Sequence, residues 1–286
     1  MTQNQNKNLL EIESDEFTAN FNKKAFTVKH NLVTHPLLAL PRLIELSQAL
    51  PESSVEYNAG TVGINQDPNE TPRTGLSPEE TLRRIEEQSS WLVLKNVEKD
   101  PEYKALLDAC LDEIQVYSEA VAPGMTKREA FIFVSSPGST TPYHIDPEYN
   151  FLLQIRGTKF MSVFDRQDRT VLSEEQIENS LTGAHRNLSF KPEFQERGVT
   201  FELPPGVGLH VPVNAPHWVK NGDQVSISLS ITFQNPANDR RRAVYQFNAG
   251  LRKRGINPTP FGKSPLRDSI KFNMYRIARR AKLVRN

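Results

Sequence analysis

A chain of 286 residues is long enough to bury one large core, and its 35 Lys or Arg against 34 Asp or Glu leave a net charge of +1 that singles out neither nucleic acid nor membrane as a partner. One cysteine, Cys110, excludes an intramolecular disulfide framework and fits a reducing, cytoplasmic setting. The Asn- and Gln-rich start lacks the apolar stretch of a signal peptide, and no run of about 18 apolar residues predicts a membrane span.

Residues 1–24 read as a polar N-terminal segment with at most a short helix near Leu9 to Phe21. Residues 25–129 read as a mixed helix and strand region. Within it, Phe26–His30 alternates as a strand. Thr34 and Pro36 open a helix through Leu37, Leu38, Leu43, Ile44, Leu46 and Leu50, with Pro41 dividing it and Pro51 ending it. Residues 58–76 carry Gly, Asn, Asp and Pro without a period and read as a loop. Ser77-Pro-Glu-Glu80 is a capping box that opens a short helix, and Trp91–Leu94 is an apolar strand. Asp100-Pro101 starts a helix whose Tyr103, Leu106, Leu107, Cys110, Leu111 and Ile114 share one face, which makes Cys110 a core residue rather than a nucleophile.

From Ala130 the pattern turns to β. Strands are predicted at Ala130–Ser135, Tyr143–Asp146, Phe151–Arg156, Lys159–Asp165, Val199–Leu203, Gly208–Val211, His217–Lys220 and Val225–Gln234. Turn clusters separate them at Arg156-Gly-Thr158, Pro204-Pro-Gly206, Asn214-Ala-Pro216 and Asn221-Gly-Asp223. A second capping box, Ser173-Glu-Glu-Gln176, opens a helix closed by Gly183. Short strands at this spacing predict a sandwich or closed barrel over residues 130–235. Residues 236–286 turn helical twice, near Asp239 to Leu251 and Leu266 to Leu283. Charge is uneven there, with eleven Lys or Arg and one acid, Asp268, between Arg252 and Arg285.

His144 and Asp146 lie two apart, so a strand sends both to one face, as two ligands of one metal require. An ionised Asp in an apolar strand is costly without a cation. Lys159, with Met161 and Val163 at two-residue spacing, would face a barrel interior, where a lysine needs an anion. A further histidine would complete a two-His, one-carboxylate set of the kind used by non-haem Fe(II) oxygenases. His217, delivered by the Pro216 turn, is preferred for it, and His210, in mid-strand, competes. His30, His35 and His185 have no partner at ligand spacing and read as surface or hydrogen-bonded residues.

Thr141-Pro-Tyr-His-Ile-Asp146, Asn150-Phe151, Gln154-Ile-Arg-Gly157, Lys159, Val211-Pro followed by Pro216-His217, and Ser230-Ile-Thr-Phe233 together resemble the JmjC/cupin-like 2-oxoglutarate-dependent oxygenases. Among them the chain is most similar to the asparaginyl hydroxylases of hypoxia-inducible factor, over about residues 130–235. The resemblance implies a mainly β fold with flanking helices: a double-stranded β-helix (jelly-roll) core with N-terminal and C-terminal helical additions. It implies Fe(II) on His144, Asp146 and His217. It further implies 2-oxoglutarate held through its distal carboxylate by Lys159 and Thr141, with Asn150 hydrogen-bonded to cosubstrate or substrate. Hydroxylation of a protein side chain or small molecule, with succinate and CO2 as coproducts, and a homodimer through the C-terminal helices would follow. Two positions depart from that hydroxylase, Thr232 and Leu152, both where cosubstrate and substrate would meet.

Two rival readings remain at this level. One is a metal-binding cupin of other chemistry, distinguished by what Lys159 does. The other is a regulator that contacts nucleic acid through Arg276, Arg279, Arg280, Lys282 and Arg285. Against it stands an amphipathic helix with Ile270, Met274, Ile277, Ala281 and Val284 packed on the barrel or on a second subunit.

Overall fold

The clearest period-two stretch in the chain is Ser226-Ile-Ser-Leu-Ser-Ile-Thr-Phe-Gln234, polar at every other position. A strand sends those two sets to opposite faces. The computed structural model describes residues 8–59, 62–72 and 74–281 and shows where each set goes. Ile227, Leu229, Ile231 and Phe233 enter the main apolar cluster with Phe17, Leu43, Leu92, Tyr103 and Phe151. Ser226, Ser228, Ser230, Thr232 and Gln234 are buried too.

In chain order the elements are β1 (Leu10–Glu11), α1 (Ser14–Asn20), β2 (Phe26–His30), α2 (Leu40–Ala49), β3 (Val55–Ala59), α3 (Pro78–Arg83), β4 (Ser90–Lys95), α4 (Pro101–Ser118), β5 (Thr126–Ser135) and β6 (Thr140–His144). They continue with β7 (Tyr149–Arg156), β8 (Lys159–Phe164), α5 (Glu174–Ser180), β9 (Gly198–Leu203), β10 (Val207–Val211), β11 (His217–Asn221), β12 (Ser226–Gln234), α6 (Pro236–Arg252) and α7 (Pro265–Arg280). A large sheet runs β1-β2-β10-β7-β12-β5-β4-β3, and a small one runs β6-β11-β8-β9. From β5 to β12 the chain passes back and forth between them, all pairs antiparallel. This is the winding of a double-stranded β-helix.

The eight strands expected from Ala130 onward are all present, with ends shifted by a few residues. The Arg156-Gly-Thr158 turn does not close a hairpin, because β7 and β8 lie in different sheets; it is the tight crossing between them, and it depends on Gly157, whose φ is +69 and where a Cβ would sit 2.5 Å from the Val225 carbonyl oxygen. The N-terminal strands widen the large sheet at both edges, β2 on β10 and β4 on β5. Two of them escape the sequence pattern. β1 is only two residues long, and β3 reaches Ala59, inside the stretch expected to be a loop. Both capping boxes form, at Ser77 and Ser173. His35 rather than Thr34 caps the turn at Pro36, through Nδ1 and the Leu37 amide, and Pro41 falls in the first turn of α2. α4 buries Tyr103, Leu106, Leu107, Cys110, Leu111 and Ile114, and burial pushes the Cys110 thiol up to about 12.

α7 inverts the usual helix arrangement. It buries Asp268, Lys271 and Tyr275, where the Asp268 carboxylate accepts from the Gly262 amide at 2.9 Å and Lys271 Nζ donates to the Thr259 carbonyl at 2.5 Å. Ile270, Met274 and Ile277 are left exposed, so they do not pack on the barrel; Ala281 is exposed as well, and Lys282, Val284 and Arg285 lie outside the described residues.

Two buried histidines tie the N-terminal strands to the sheet. His30 Nε2 lies 3.0 Å from the Gln154 carbonyl and His210 Nδ1 lies 3.1 Å from the Asn150 carbonyl. Since a carbonyl only accepts, each ring donates there, and its other nitrogen accepts a backbone amide, Leu32 for His30 and Asn22 for His210. Burial pushes the pKa of His30 down to about 4 and that of His210 down to about 3. An unfolded imidazole titrates near ~6.5, so below that pH the unfolded chain binds protons that the folded one refuses. Stability should therefore be full above about pH 6.5 and fall progressively toward the folded pKa values. The urea midpoint of chelator-treated protein is expected to be lower at pH 5.5 than at pH 7.5; an unchanged midpoint would contradict the neutral, buried assignment.

Candidate metal centre

The last residue of β6, His144, pairs directly with the first residue of β11, His217. Residues opposite each other on antiparallel strands share a face, and the two rings lie 4.1 Å apart between centroids. His144 Nδ1 donates to the Pro142 carbonyl at 2.7 Å and His217 Nδ1 to the Ala215 carbonyl at 2.9 Å. Each Nε2 therefore keeps its lone pair free, the arrangement that orients an imidazole as a ligand. Both Nε2 atoms face Asp146 Oδ2, at 3.8 Å from His144 and 3.6 Å from His217. Ligand atoms from the three residues all lie within 4.8 Å of one another.

Electrostatics keeps this donor set in its binding form. Burial, reinforced by His217, lowers the His144 pKa to about 3, and burial lowers His217 as well, so both rings are neutral at pH 7. Burial alone would raise the Asp146 carboxyl, but the Arg186 guanidinium outweighs it and holds the group low and ionised. Two neutral imidazoles and one carboxylate on one side suit a divalent transition metal and leave coordination positions open.

The site continues along β11. Val219 pairs with Thr141 rather than Pro142, because β6 shifts register between the pairs at His217 and Val219. That bulge turns Thr141 and His144 to the same inner face, although they are three residues apart. Two residues further, Asn221 pairs with Lys159 of β8. Lys159 thus lies about 13 Å along the strand from His217, at roughly 3.3 Å per residue. It is 4% exposed, its Nζ donates to Ser228 Oγ at 2.6 Å, and it sits 5.7 Å over the Phe133 ring. No carboxylate pairs with it among the described residues, and burial lowers its pKa to about 7. A bound anion would reverse that shift.

Polar side chains of the large sheet floor the same space. Ser228 Oγ donates to Gln154 Oε1 at 2.6 Å, and Ser230 Oγ to Asn150 Oδ1 at 2.8 Å. The Asn150 amide also favours the ionised form of Asp146. Of the two departing positions, Thr232 Oγ1 donates within its own sheet to the Glu129 carbonyl, and Leu152 joins an inner apolar cluster with Met161 and Val219.

His210 is not part of this cluster. It faces the other side of the large sheet, 4.7 Å from the Phe21 and Phe151 rings and 5.1 Å from Phe26, with both nitrogens engaged. Arg186, which the sequence does not single out, donates from Nη1 to Asp146 Oδ1 at 2.6 Å. It reaches that point because its segment lies along β6: Ile145 N donates to the Arg186 carbonyl, and Asn187 bridges His144. Nothing local in the sequence signals so distant a contact. Glu148, beside Asp146, is pushed up to about 7 by burial and by that neighbouring charge.

Residues 12–249 match the Cupin-like domain family. The chain belongs to that family. Among curated relatives of this cupin-like chain, HSPB1-associated protein 1 of Mus musculus is 27% identical over 143 residues, covering 45% of the chain and 30% of the mouse protein. The Danio rerio homologue is 27% identical over 139 residues, or 31% of its length. The matched region thus spans about a third of these relatives. Among solved structures, YcfD of Escherichia coli superposes with a TM-score of 0.56 at 17% identity, covering 94% of this cupin-like chain and 67% of its own. The same protein, described as a ribosomal oxygenase in complex with cobalt and 2-oxoglutarate, gives 0.55 at 16% identity over 95% and 67%. At that identity the likeness is one of fold.

Co(II) is expected to bind at one ion per chain, and His144→Ala, Asp146→Ala and His217→Ala should each weaken it by more than about 100-fold, since each removes one of three donors. Isothermal titration of the metal-free protein measures this. Equal affinity in wild type and His217→Ala would exclude the cluster as a metal centre.

Proposed function

We propose that the chain is an Fe(II)- and 2-oxoglutarate-dependent oxygenase that hydroxylates a protein side chain or a small molecule. The observation that carries this reading is the pairing, inside one jelly-roll, of the His144, Asp146 and His217 donors with a buried lysine that has no carboxylate partner among the described residues. The YcfD complexes with cobalt and 2-oxoglutarate or succinic acid, on the same fold, support it. YcfD's description as a ribosomal oxygenase favours a polypeptide over a free metabolite. A cytoplasmic setting fits the single, buried Cys110.

In this reading His144, Asp146 and His217 hold Fe(II). When bound, iron and 2-oxoglutarate supply the oxidation: O2 places one oxygen atom in a substrate C–H bond and the other in succinate, with release of CO2. The chain's own part is to bind and orient. Lys159 holds the distal carboxylate by charge, with Thr141 on the same inner face. Arg186 occupies Asp146 Oδ1 and leaves Oδ2 for the metal. Ser228 and Gln154 fix the Lys159 ammonium at the end of the polar floor. The rival, a cupin that binds metal but not 2-oxoglutarate, gives Lys159 no anion to hold.

Purified protein with Fe(II) and ascorbate should convert 2-oxoglutarate to succinate, and Asp146→Ala should abolish this. Lys159→Ala should raise KM for 2-oxoglutarate roughly 10- to 100-fold, the loss of one charge-assisted bond, while leaving metal affinity intact. An unchanged KM would hand the site to the rival.

We also propose that two copies associate through α7, whose Leu266, Ile270, Met274 and Ile277 are 72, 50, 51 and 67% exposed. At spacings of four, four and three residues they form one stripe, and a patch of this kind marks an interaction surface. A contact of the stripe with its own copy is the isologous solution. Sedimentation velocity should show a dimer, and Ile270→Arg with Ile277→Arg a monomer. A monomeric wild type that instead binds nucleic acid in a salt-dependent way would favour the regulator that uses Arg276, Arg279 and Arg280.

A further inference from the structure

The turn that brings His217 into the site is fastened in part from outside the jelly-roll. Residues 212–216 contain two prolines and make one internal bond, Ala215 N to the Pro212 carbonyl at 2.9 Å. Every other polar contact of the turn reaches outward. Asn214 N donates to the Asp146 carbonyl at 2.7 Å, and the Ala215 carbonyl accepts from His217 Nδ1. The same five residues thus hold the backbone of one proposed ligand and the ring of another. A shift of the turn would move both together.

At its far end the Pro216 carbonyl accepts from the amide of Phe164, the last residue of β8, at 2.9 Å. Its middle, at Val213, is held by Asn22, in the bend after α1, with Arg166, just beyond β8. Val213 N donates to Asn22 Oδ1 at 3.1 Å, and Arg166 Nη1 donates both to that oxygen at 2.7 Å and to the Val213 carbonyl at 3.0 Å. Arg166 Nη2 donates to the Asn22 carbonyl at 2.6 Å. Asn22 N donates to His210 Nε2 at 3.0 Å, which gives the rejected ligand candidate its role. Asn22 and Asn214 both adopt left-handed backbone, at φ 55 and 59, a conformation that Asn tolerates better than most residues. Arg166 makes no ion pair among the described residues, and its guanidinium is spent on Asn22 and Val213.

We propose that Asn22 and Arg166 are positioning residues of the metal centre, clamping the turn at residues 212–216 so that Asp146 and His217 keep their spacing. The proposal rests on the reading of His144, Asp146 and His217 as metal ligands. Its chemistry is specific, because Asn22 Oδ1 acts only as an acceptor, from Val213 N and from Arg166. A carboxylate can do the same, and a methyl group cannot.

The test compares wild type, Asn22→Ala, Asn22→Asp and Arg166→Lys by Co(II) affinity, by the visible absorption bands of bound Co(II), which report ligand geometry, and by thermal unfolding of the metal-free proteins. Asn22→Ala is expected to weaken Co(II) binding about 10- to 100-fold, the range for groups that orient ligands, and to shift the bands. Asn22→Asp should keep the wild-type spectrum. Arg166→Lys retains the charge but lacks the fork that bridges Asn22 and Val213, so it should shift the bands as Asn22→Ala does, and it serves if Asn22→Ala fails to fold. A wild-type spectrum and affinity in Asn22→Ala or Arg166→Lys, with only a lower melting temperature, overturns the clamp, as does an Asn22→Asp protein that behaves like Asn22→Ala. Wild type that takes up no Co(II) removes the metal reading itself and the clamp with it.

Discussion

Everything in this molecule follows from one constraint: β12 must satisfy two unlike environments at once. Successive side chains of a strand leave opposite faces, and β12 uses this fully. Its apolar set is the wall on which the N-terminal helices and strands build their core. Its polar set is buried between the sheets, where it cannot be left without partners. Ser228 and Ser230 meet Lys159, Gln154 and Asn150, so a polar, hydrogen-bonded strip runs through the space inside the jelly-roll beside the apolar cluster of Leu152, Met161 and Val219.

The metal cluster adds a second balance. Asp146 divides its carboxylate, one oxygen on Arg186 and the other toward the two imidazoles. An exposed guanidinium thus supports the ionised form while leaving the other oxygen, Oδ2, facing the two imidazoles, where the three side chains would hold a metal. Lys159 stands at the far end of the same face with a hydroxyl as its hydrogen-bond acceptor. One cluster of donors waits for a cation and one buried cation waits for an anion, in line along β11.

Much of this is written locally in the chain. The eight core strands follow from alternation and from Gly, Pro and Asn turns, because those rules act over a few residues. His144 follows from the same period and Lys159 from the cost of burying a charge, whereas Asp146 lies two residues past the end of β6, where alternation no longer sets the face. The shared face of Thr141 and His144 does not: an odd spacing predicts opposite faces, and only the bulge in β6 reconciles them. Arg186 and Asn22 are equally illegible, since one acts across 40 positions and the other across 144, and no short motif encodes that. His210 was legible as buried but not as to its face. The exposed stripe of α7 was visible as amphipathic, but which side it would turn to solvent depended on the capture of Asp268 and Lys271 by the segment before it.

The bend at Asn22 also bears on the order in which the chain folds. Its contacts with Arg166 and Val213 close loops of 144 and 191 residues, and contacts of such separation form more slowly than pairings closer in sequence, such as β8 with β9. The jelly-roll can therefore wind, and its strands find their register, before the N-terminal bend docks. The three donors will by then be near one another but unfastened. Docking of the bend after α1 is then the step that completes the site, so metal uptake by a refolding chain should report the finish of folding rather than its beginning.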